Sequence, residues 1–404
     1  MNSSLYDSYK TLRVFEAFSG YGSQSIALRN LGVKHEVVAI SEIDKYALKA
    51  YYSLHSKDIP NLGDISKLKV EDIPKHDLFT YSFPCQDISV AGKQAGIEKG
   101  QTRSGLLYEC ERIIEHCKPK YLLMENVKNL VGKKFKTQFD EWLEYLEELG
   151  YTNYWKVLNA KDYGIPQNRE RVFCISILGE HEPYKFPKPI KLDKTIKDIL
   201  EEEVEEKYYL SNDKVKKLSI EIKEIELPVI CASRGRNPEN PTSRVSGLPT
   251  EQRIEVNTKG TSNALTTVQK DNYVITVDDN IKPSVKVNYE REKEQIANSD
   301  KEIYQCKCTS GWQDNKVGIK VSPTLRAGNP HTCVYCNFRI RKLTPRECFR
   351  LMGVSDKDID KIQQTGISNS QQYKLAGNSI VVNVLEAIFR NLFVGKDEHQ
   401  TPSE

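Results

Sequence analysis

The stretch from Leu12 to Gly32, LRVFEAFSGYGSQSIALRNLG, decides the fold class of this chain. It predicts a buried strand, a tight glycine turn and a helix that ends at Gly32. The segment HEVVAISEID predicts a second strand that ends in acidic residues. Strands that alternate with helices in this order are typical of an α/β domain with a mainly parallel sheet.

The rest of the chain divides into three parts. Further short strands are predicted in DLFTYSF, YLLMENV and RVFCISIL, and an amphipathic helix in FDEWLEYLEELG. Near residue 185 the sequence becomes polar and charge-rich, and from about 228 to 338 it is rich in Thr, Ser, Asn, Gly, Arg and Pro with short β-branched runs. The helical pattern returns after 340, in TPRECFRLMG and SIVVNVLEAIFRNLF.

We therefore predict a discontinuous Rossmann-like domain at 11–185 and 341–395, with terminal tails at 1–10 and 396–404. A smaller domain, mostly β or irregular, is inserted at 186–340 together with its connector. We expect the last helix to dock onto the sheet of the first domain.

The composition narrows the class of protein. Of the 404 residues, 38% are hydrophobic and 28% charged, which fits a soluble, packed protein. No apolar run approaches the ~20 residues needed to span a bilayer, and the first residues lack the features of a secretory signal. We expect a cytoplasmic protein without membrane contact. The net charge of +3 neither requires nor excludes a nucleic-acid partner.

The ten cysteines are scattered, and in the cytoplasm we expect them to be reduced. Cys306 and Cys308, with Cys333 and Cys336, could in principle form a four-thiolate zinc site. However, Cys-x-Cys is not the usual spacing of zinc ligands, and no histidine cluster supports a metal elsewhere. We expect no metal.

The glycine turn and two acidic residues indicate an adenosine-containing cofactor. Gly20 and Gly22 would let the backbone approach a ligand, beside the N–H groups that begin the next helix. Glu42, after the second strand, is placed to bind the two ribose hydroxyls. Asp64, after an expected third strand region, could accept from an adenine amino group. These residues do not distinguish a nicotinamide cofactor from S-adenosylmethionine.

A second set of polar residues also falls at predicted strand ends. Cys85 follows a strand and Pro84, which stiffens the turn. Such a thiol is a nucleophile if its pKa is lowered, and otherwise a small buried hydrophobe. Glu125 ends another parallel strand, and QNRER carries Arg169 and Arg171 into the strand that follows. Because ligand groups collect at the carboxyl ends of parallel strands, these side chains could converge on one cleft.

With these segments the chain resembles the bacterial and phage DNA (cytosine-5) methyltransferase family. FSGYG, SFPCQ, ENV, QNRER, RKLTPRECFRLMG and AGNSIVVNVLEA occur in that family's order, over about 11–180 and 338–395. The middle is unmatched in detail. The first turn departs from the family, because Ser19 and Ser23 stand where Ala and Gly are more frequent. We expect a slight change in the packing of the turn, with cofactor binding retained.

The resemblance implies a role for each matching residue. Cys85 would be the nucleophile that adds to carbon 6 of cytosine, and Glu125 the group that engages the ring. Arg169 and Arg171 would lie near the base. The cofactor would be S-adenosyl-L-methionine, the methyl donor, in a pocket formed by Phe18, Gly20, Gly22, Glu42, Asp64, Asn378 and Ser379.

The resemblance also implies double-stranded DNA as the partner, with the target cytosine flipped out of the helix. The inserted region would recognise the target, and Arg234 and Arg236 suit phosphate and base-edge contacts. Two segments resemble the family's Thr-Leu recognition element, one at Thr266 and one at Thr324. The loop at 89–105 is expected to close over the DNA. We expect a monomer. The sequence leaves open whether a cognate restriction endonuclease acts on the same site.

Three alternatives remain at this point. An RNA cytosine methyltransferase could share the catalytic half, although the long insertion argues against it. A catalytically silent DNA-binding protein is disfavoured because Cys85, Glu125 and the Gly-Asn-Ser segment are all present. A nicotinamide dehydrogenase would explain the glycine turn and Glu42, but not SFPCQ, ENV and QNRER together.

Overall fold

The computed structural model describes residues 10–85, 88, 97, 104–211, 219–220, 228–240, 249–256, 260–267, 272–277, 303–304, 306–307, 318–319, 333–334 and 338–395. The chain forms two compact units, one of residues 1–193 with 349–404 and one of residues 194–348. The first unit is thus assembled from two separate stretches of sequence. Apart from Lys10, the predicted tails lie outside the described residues.

A six-stranded sheet forms the centre of the first unit. Its strands are β1 (Leu12–Ala17), β2 (His35–Ser41), β3 (Leu78–Tyr81), β4 (Tyr121–Val127), β5 (Tyr151–Asn159) and β6 (Glu170–Leu178). They lie in the order β2-β1-β3-β4-β6-β5. The first four are parallel, and β6 is antiparallel to both β4 and β5. As a result, the first residues of β6 lie beside the last residues of β4, at the carboxyl ends of the parallel strands.

The helices are α1 (Ser23–Asn30), α2 (Lys45–Leu54), α3 (Leu107–Cys117), α4 (Lys136–Glu148), α5 (Pro345–Arg350), α6 (Asp356–Gln364), α7 (Asn369–Asn378) and α8 (Val382–Phe389). Single 3-10 turns occur at Val70–Asp72, Ser104–Leu106, Lys128–Val131, Ala160–Tyr163 and Glu206–Tyr208, and a π turn at Arg390–Val394. The last helix was expected to dock onto the sheet, but the main packing partner of α8 is the helix α1, where Asn30 donates to Glu386 over 2.7 Å.

Two expectations about the first unit need correction. Strand β5 was not predicted, because it is an edge strand in which most side chains are partly exposed and hydrophobic alternation is weak. Asp64 does not follow a third strand. The segment before it makes only a single bridge to β2, between Ile40 and Asn61, and the third strand of the sheet begins at Leu78.

The second unit contains a five-stranded sheet. Its strands are β7 (Ser219–Ile220), β8 (Val229–Arg236), β9 (Glu251–Val256), β10 (Asn272–Val277) and β11 (Phe338–Lys342), in the order β11-β10-β8-β9-β7. All neighbours are antiparallel except β7 and β9. Two-residue strands occur at Ser262–Asn263, Ile303–Tyr304, Cys306–Lys307, Gly318–Ile319 and Cys333–Val334, and in the first unit at Gln167–Asn168. A mixed α/β sheet domain joined to a smaller, mostly β unit confirms the predicted fold class.

The register of this second sheet separates two kinds of side chain. One face carries Cys231, Ile254, Tyr273, Ile275 and Ile340, which are buried. The opposite face carries five arginines, at 234, 236, 253, 339 and 341. The first face is therefore largely apolar, whereas the arginine face is mixed, because it also carries the buried Ile230, Ala232 and Val274 and the carboxylates of Glu251 and Glu255.

The segment that leads from β11 into α5 is fixed by a capping box. Thr344 and Glu347 exchange bonds, since the Thr344 N–H donates to Glu347 Oε2 over 2.8 Å and the Glu347 N–H donates to Thr344 Oγ1 over 3.2 Å. Arg341, which is 2% exposed, donates to the same carboxylate over 2.6 and 2.8 Å. These contacts show that the segment RKLTPRE, residues 341–347, stabilises the start of α5.

Candidate active site

The turn after β1 has backbone conformations that glycine favours. Gly20 and Gly22 have φ values of 58° and 83°, and Phe18 has a φ of 54° although it is not glycine. A left-handed conformation costs a residue such as Phe about 1–2 kcal/mol. A Cβ at Gly22 would collide with His55 and come within 2.8 Å of the Tyr51 ring. The turn is therefore pressed tightly against α2.

Glu42 joins the glycine turn to the start of α2. Its Oε2 accepts the N–H of Gly20 over 2.9 Å, and its Oε1 accepts those of Ile43 and Asp44 over 2.9 Å each. Burial raises the pKa of this carboxyl group, and the bonds from backbone N–H groups oppose the rise. The side chain of Asn61 accepts the Glu42 N–H and donates to its carbonyl. Sequence reasoning missed Asn61, because a loop asparagine carries no periodic signal.

A cavity of about 390 Å³ lies at the carboxyl ends of the parallel strands. Its volume is in the range usual for small-molecule sites. It brings together all but one of the site residues predicted in this unit, namely Phe18, Gly20, Glu42, Asp64, Cys85, Glu125, Arg169, Arg171, Asn378 and Ser379. Gly22 lies behind this lining and shapes the turn.

Asp64 lies at the cavity with its carboxylate held by Ser66 and by an ion pair with Lys67, whose Nζ is 3.6 Å from Oδ2. Its Oδ1 accepts from the N–H of Ser66 over 3.0 Å and from the Ser66 hydroxyl over 2.8 Å. These bonds lower the pKa of Asp64, so the group stays an ionised acceptor.

Cys85 is half-buried beside the carboxyl group of Glu125. Burial raises the pKa of the thiol, the negative charge of Glu125 raises it further, and Arg171 and Arg169 oppose the rise. The surroundings of Cys85 therefore raise the pKa of its thiol, contrary to the lowered pKa expected of a nucleophile. The loop itself is firmly held, since Asn126 donates to the Phe83 carbonyl over 3.0 Å and Ser104 to the Pro84 carbonyl over 2.7 Å.

The antiparallel run of β6 explains how Arg171 reaches Glu125. Val127 at the end of β4 pairs with Arg171 at the start of β6, and Glu125 pairs with Phe173. Residues two apart on a strand share a face, so Glu125 and Arg171 lie diagonally on the same side. Arg171 Nε is 3.2 Å from Glu125 Oε1. Burial raises the pKa of Glu125, and Arg171 is the largest opposing influence.

Arg169 has different partners. It is 3% exposed, and its Nη2 donates to the carbonyls of Gly377 and Ser379 over 2.9 Å each. Burial lowers its pKa to about 9. Arg169 thus lines the cavity while holding the main chain of the Gly-Asn-Ser segment.

In the second unit, both predicted DNA-contacting arginines lie on β8 and share one carboxylate. Arg234 Nε is 3.3 Å from Glu255 Oε2, and Arg236 pairs with Glu255 Oε1. Thr266 is partly buried. Thr324, Cys308, Cys336 and most of the loop at 89–105 lie outside the described residues.

Among the described residues, no group of three or more His, Cys, Asp or Glu side chains could hold a metal ion. The helices in the same part of the chain are all too short or too polar to cross a membrane.

Comparison with known proteins gives the family. Residues 12–394 match the C-5 cytosine-specific DNA methylase family. The type II methyltransferase M2.ScrFI of Lactococcus lactis subsp. cremoris is 37% identical over 95% of this chain and 99% of its own length. The orphan methyltransferase M.SPRI of Bacillus phage SPR is 33% identical over 94% and 97%.

A crystal structure of S. pombe Dnmt2 methyltransferase superposes with a TM-score of 0.58 at 20% identity, covering 95% of this chain and 98% of that one, and this likeness concerns the fold alone. A match that spans nearly the whole chain, joined to relatives more than 30% identical, settles the family. The chain belongs to the C-5 cytosine-specific DNA methylases, enzymes that methylate carbon 5 of cytosine in DNA with S-adenosylmethionine.

Proposed function

We propose that this enzyme methylates one cytosine within a specific short site of double-stranded DNA, with Cys85 as nucleophile and Glu125 as the group that engages the ring. The observation that carries the proposal is a shared cavity. Cys85, Glu125 and Arg171 line the same space as the glycine turn and Glu42. A base and a methyl donor bound there would meet beside the thiol.

The residues of the cavity fit S-adenosylmethionine. The Glu42 carboxylate can accept from ribose hydroxyls, and the ionised Asp64 from an adenine amino group. Ser23 and Gln24, the first residues of α1, line the cavity, so the N–H groups of the helix start can bind the carboxylate of the methionine end. When bound, the cofactor supplies an electrophilic methyl group.

Cys85 makes the chemistry possible by covalent addition. Attack of the Cys85 thiolate on carbon 6 forms an S–C bond and moves an electron pair toward N3, so that carbon 5 becomes enamine-like. Glu125, whose pKa is raised by burial, can hold the proton that N3 then needs. Arg171 is placed to bond O2 and to hold Glu125 in position. After carbon 5 is methylated, loss of its proton restores the double bond and expels Cys85.

The entering base also explains how a thiol with a raised pKa becomes reactive. The charge of Glu125 is one reason the pKa of Cys85 is high. When Glu125 bonds N3 through a proton, that negative charge no longer faces the sulfur, while Arg169 and Arg171 remain. Burial, the largest cause of the raised pKa, remains, so the entering base makes the Cys85 thiolate less unfavourable by removing the second cause.

The largest expected effect is that of Cys85→Ser, which should abolish methyl transfer and leave cofactor affinity largely intact. Covalent trapping on DNA containing 5-fluorocytosine should capture the wild-type enzyme and not this variant. Cys117→Ser is the matched control, because Cys117 lies on α3 and does not line the cavity. A normal rate from Cys85→Ser would refute the nucleophile, and no adduct from the wild type would favour a silent DNA-binding protein.

We further propose that residues 186–340 recognise the target, with Arg234 and Arg236 in contact with DNA. Thr266 and Thr324 both remain candidates for the Thr-Leu element. Replacing 228–338 with the corresponding region of a relative should change the methylated site, as read by bisulfite sequencing of DNA from expressing cells. An unchanged methylation pattern would contradict this assignment.

The biological setting is also a proposal. We propose a cytoplasmic monomer that binds no metal and protects DNA from a restriction endonuclease acting on the same site. M2.ScrFI is named a type II methyltransferase, which supports such a partner, whereas M.SPRI is named an orphan. Digestion of DNA from expressing cells with a panel of endonucleases should reveal one to which that DNA is resistant.

A further inference from the structure

Tyr21 lies in the glycine turn, but its side chain is not part of the cavity lining. Ser19, Gly20 and Ser23 line the cavity, whereas Tyr21 is 1% exposed. Its phenol oxygen is 2.7 Å from Ser379 Oγ, and its ring meets that of Phe349 edge-on at 5.6 Å. Tyr21 therefore connects the first turn of the chain with the Gly-Asn-Ser segment.

The direction of this hydrogen bond follows from the neighbours. Ser379 Oγ donates to the Ala376 carbonyl over 3.0 Å, and a serine hydroxyl has one hydrogen to give. With the Ser379 hydrogen on Ala376, the phenol of Tyr21 is the donor to Ser379, and the Ser23 side chain is a second hydrogen-bond partner of the phenol. Burial raises the pKa of Tyr21, so the phenol keeps its proton. Ser379 is thus held on both sides.

The same segment holds Arg169. The carbonyls of Gly377 and Ser379 accept its guanidinium, and two residues further along the chain Arg171 pairs with Glu125. A continuous series of contacts therefore runs from the cofactor turn through Tyr21, Ser379 and Arg169 to the group proposed to engage the base. Every side chain in it belongs to the first unit.

We propose that Tyr21 is a positioning residue that aligns the base pocket with the cofactor turn. This inference rests on the proposed function. Methyl transfer needs the methyl carbon and carbon 5 in line at close range, and small misplacements slow such steps strongly. Addition of Cys85 to carbon 6 involves no atom of the cofactor turn. Loss of the Tyr21 hydroxyl should therefore slow methyl transfer more than addition.

The test compares Tyr21→Phe with Tyr51→Phe. Tyr51 is as deeply buried and lies behind the same turn, but its hydroxyl donates to Glu16 over 2.8 Å. Methyl transfer is measured in a single turnover with DNA and S-adenosylmethionine. Addition is measured without methyl donor, as release of tritium from carbon 5 of cytosine, because the enamine takes a solvent proton at carbon 5 and loses tritium when Cys85 leaves.

Tyr21→Phe should lower methyl transfer about tenfold while tritium release changes less than about twofold. Tyr51→Phe should change both steps equally, and Tyr21→Phe added to Ser379→Ala should cause no further loss. An equal decrease of both steps in Tyr21→Phe, or no change in either, would overturn the positioning role. Thermal unfolding of both variants separates misfolding from misalignment. If the wild type released no tritium and transferred no methyl group, the proposed function itself would fail.

Discussion

The two units each carry a pair of arginines two residues apart at one end of a strand, and the pairs differ in what holds them. Arg169 is buried and donates to two main-chain carbonyls, whereas Arg171, with its side chain 20% exposed, pairs with one carboxylate. Arg234 and Arg236 share Glu255, with side chains 42% and 14% exposed. A buried carbonyl that loses its donor cannot bond to water instead, so the loss destabilises the fold. A partly exposed ion pair contributes only about 0–1 kcal/mol to stability, and a DNA phosphate can take the place of its carboxylate. Arg169 thus fixes the main chain of the Gly-Asn-Ser segment, whereas the ion pairs of Arg234 and Arg236 with Glu255 can be exchanged for bonds to phosphate.

The strongest way to break this comparison is Arg169→Gln. It removes a buried cation and leaves two buried carbonyls without their donor, so the free energy of unfolding should fall by about 2–4 kcal/mol. Methyl transfer should fall with it, because the Gly-Asn-Ser segment lines the cavity. Denaturant unfolding followed by circular dichroism measures the first effect. A variant with wild-type stability would show that Arg169 does not fix the Gly-Asn-Ser segment.

A smaller effect on stability, and a larger one on binding, is expected from Arg234→Gln combined with Arg236→Gln. The free energy of unfolding should change by less than about 1 kcal/mol. If both arginines contact phosphates, the slope of log affinity against log salt should decrease by about 2. Fluorescence anisotropy with labelled DNA at several salt concentrations gives that slope. An unchanged slope would contradict the DNA-contact assignment.

The smallest effect is expected from Glu255→Gln, which keeps both arginines and removes their shared charge. DNA of any sequence should bind a few-fold more tightly, because no carboxylate then competes with phosphate. Discrimination between target and non-target DNA should weaken. The same anisotropy measurement, with two DNA sequences, provides the comparison. Weaker binding would mean that Glu255 holds the arginines in the geometry that DNA requires.

Sequence reasoning succeeded where strand ends determine position. Cys85, Glu125 and Arg171 were predicted to converge because each lies at the end or start of a strand, and the structure places all three at one cavity. The partners of Arg169 were not foreseeable, because main-chain carbonyls 208 and 210 residues away leave no mark on side-chain type.

The pKa of Cys85 and the pairing in the second unit were also beyond the sequence. Whether the pKa of a thiol is raised or lowered depends on how deeply the thiol is buried and which charge faces it. The order of residues in the sequence gives neither. The shared contact of Arg234 and Arg236 with Glu255 depends on the register of β8 against β9. Register changes which side chains meet without changing the composition of either strand.

The raised pKa of the Cys85 thiol has a consequence for the enzyme between encounters with its site. Peroxide oxidises the thiolate to sulfenic acid far faster than it oxidises the protonated form. In the proposed mechanism, burial and the charge of Glu125 thus favour the protonated, less easily oxidised form of this sulfur away from the target site. The entering base would lessen this protection by taking up the charge of Glu125, and it would cover the thiol at the same time.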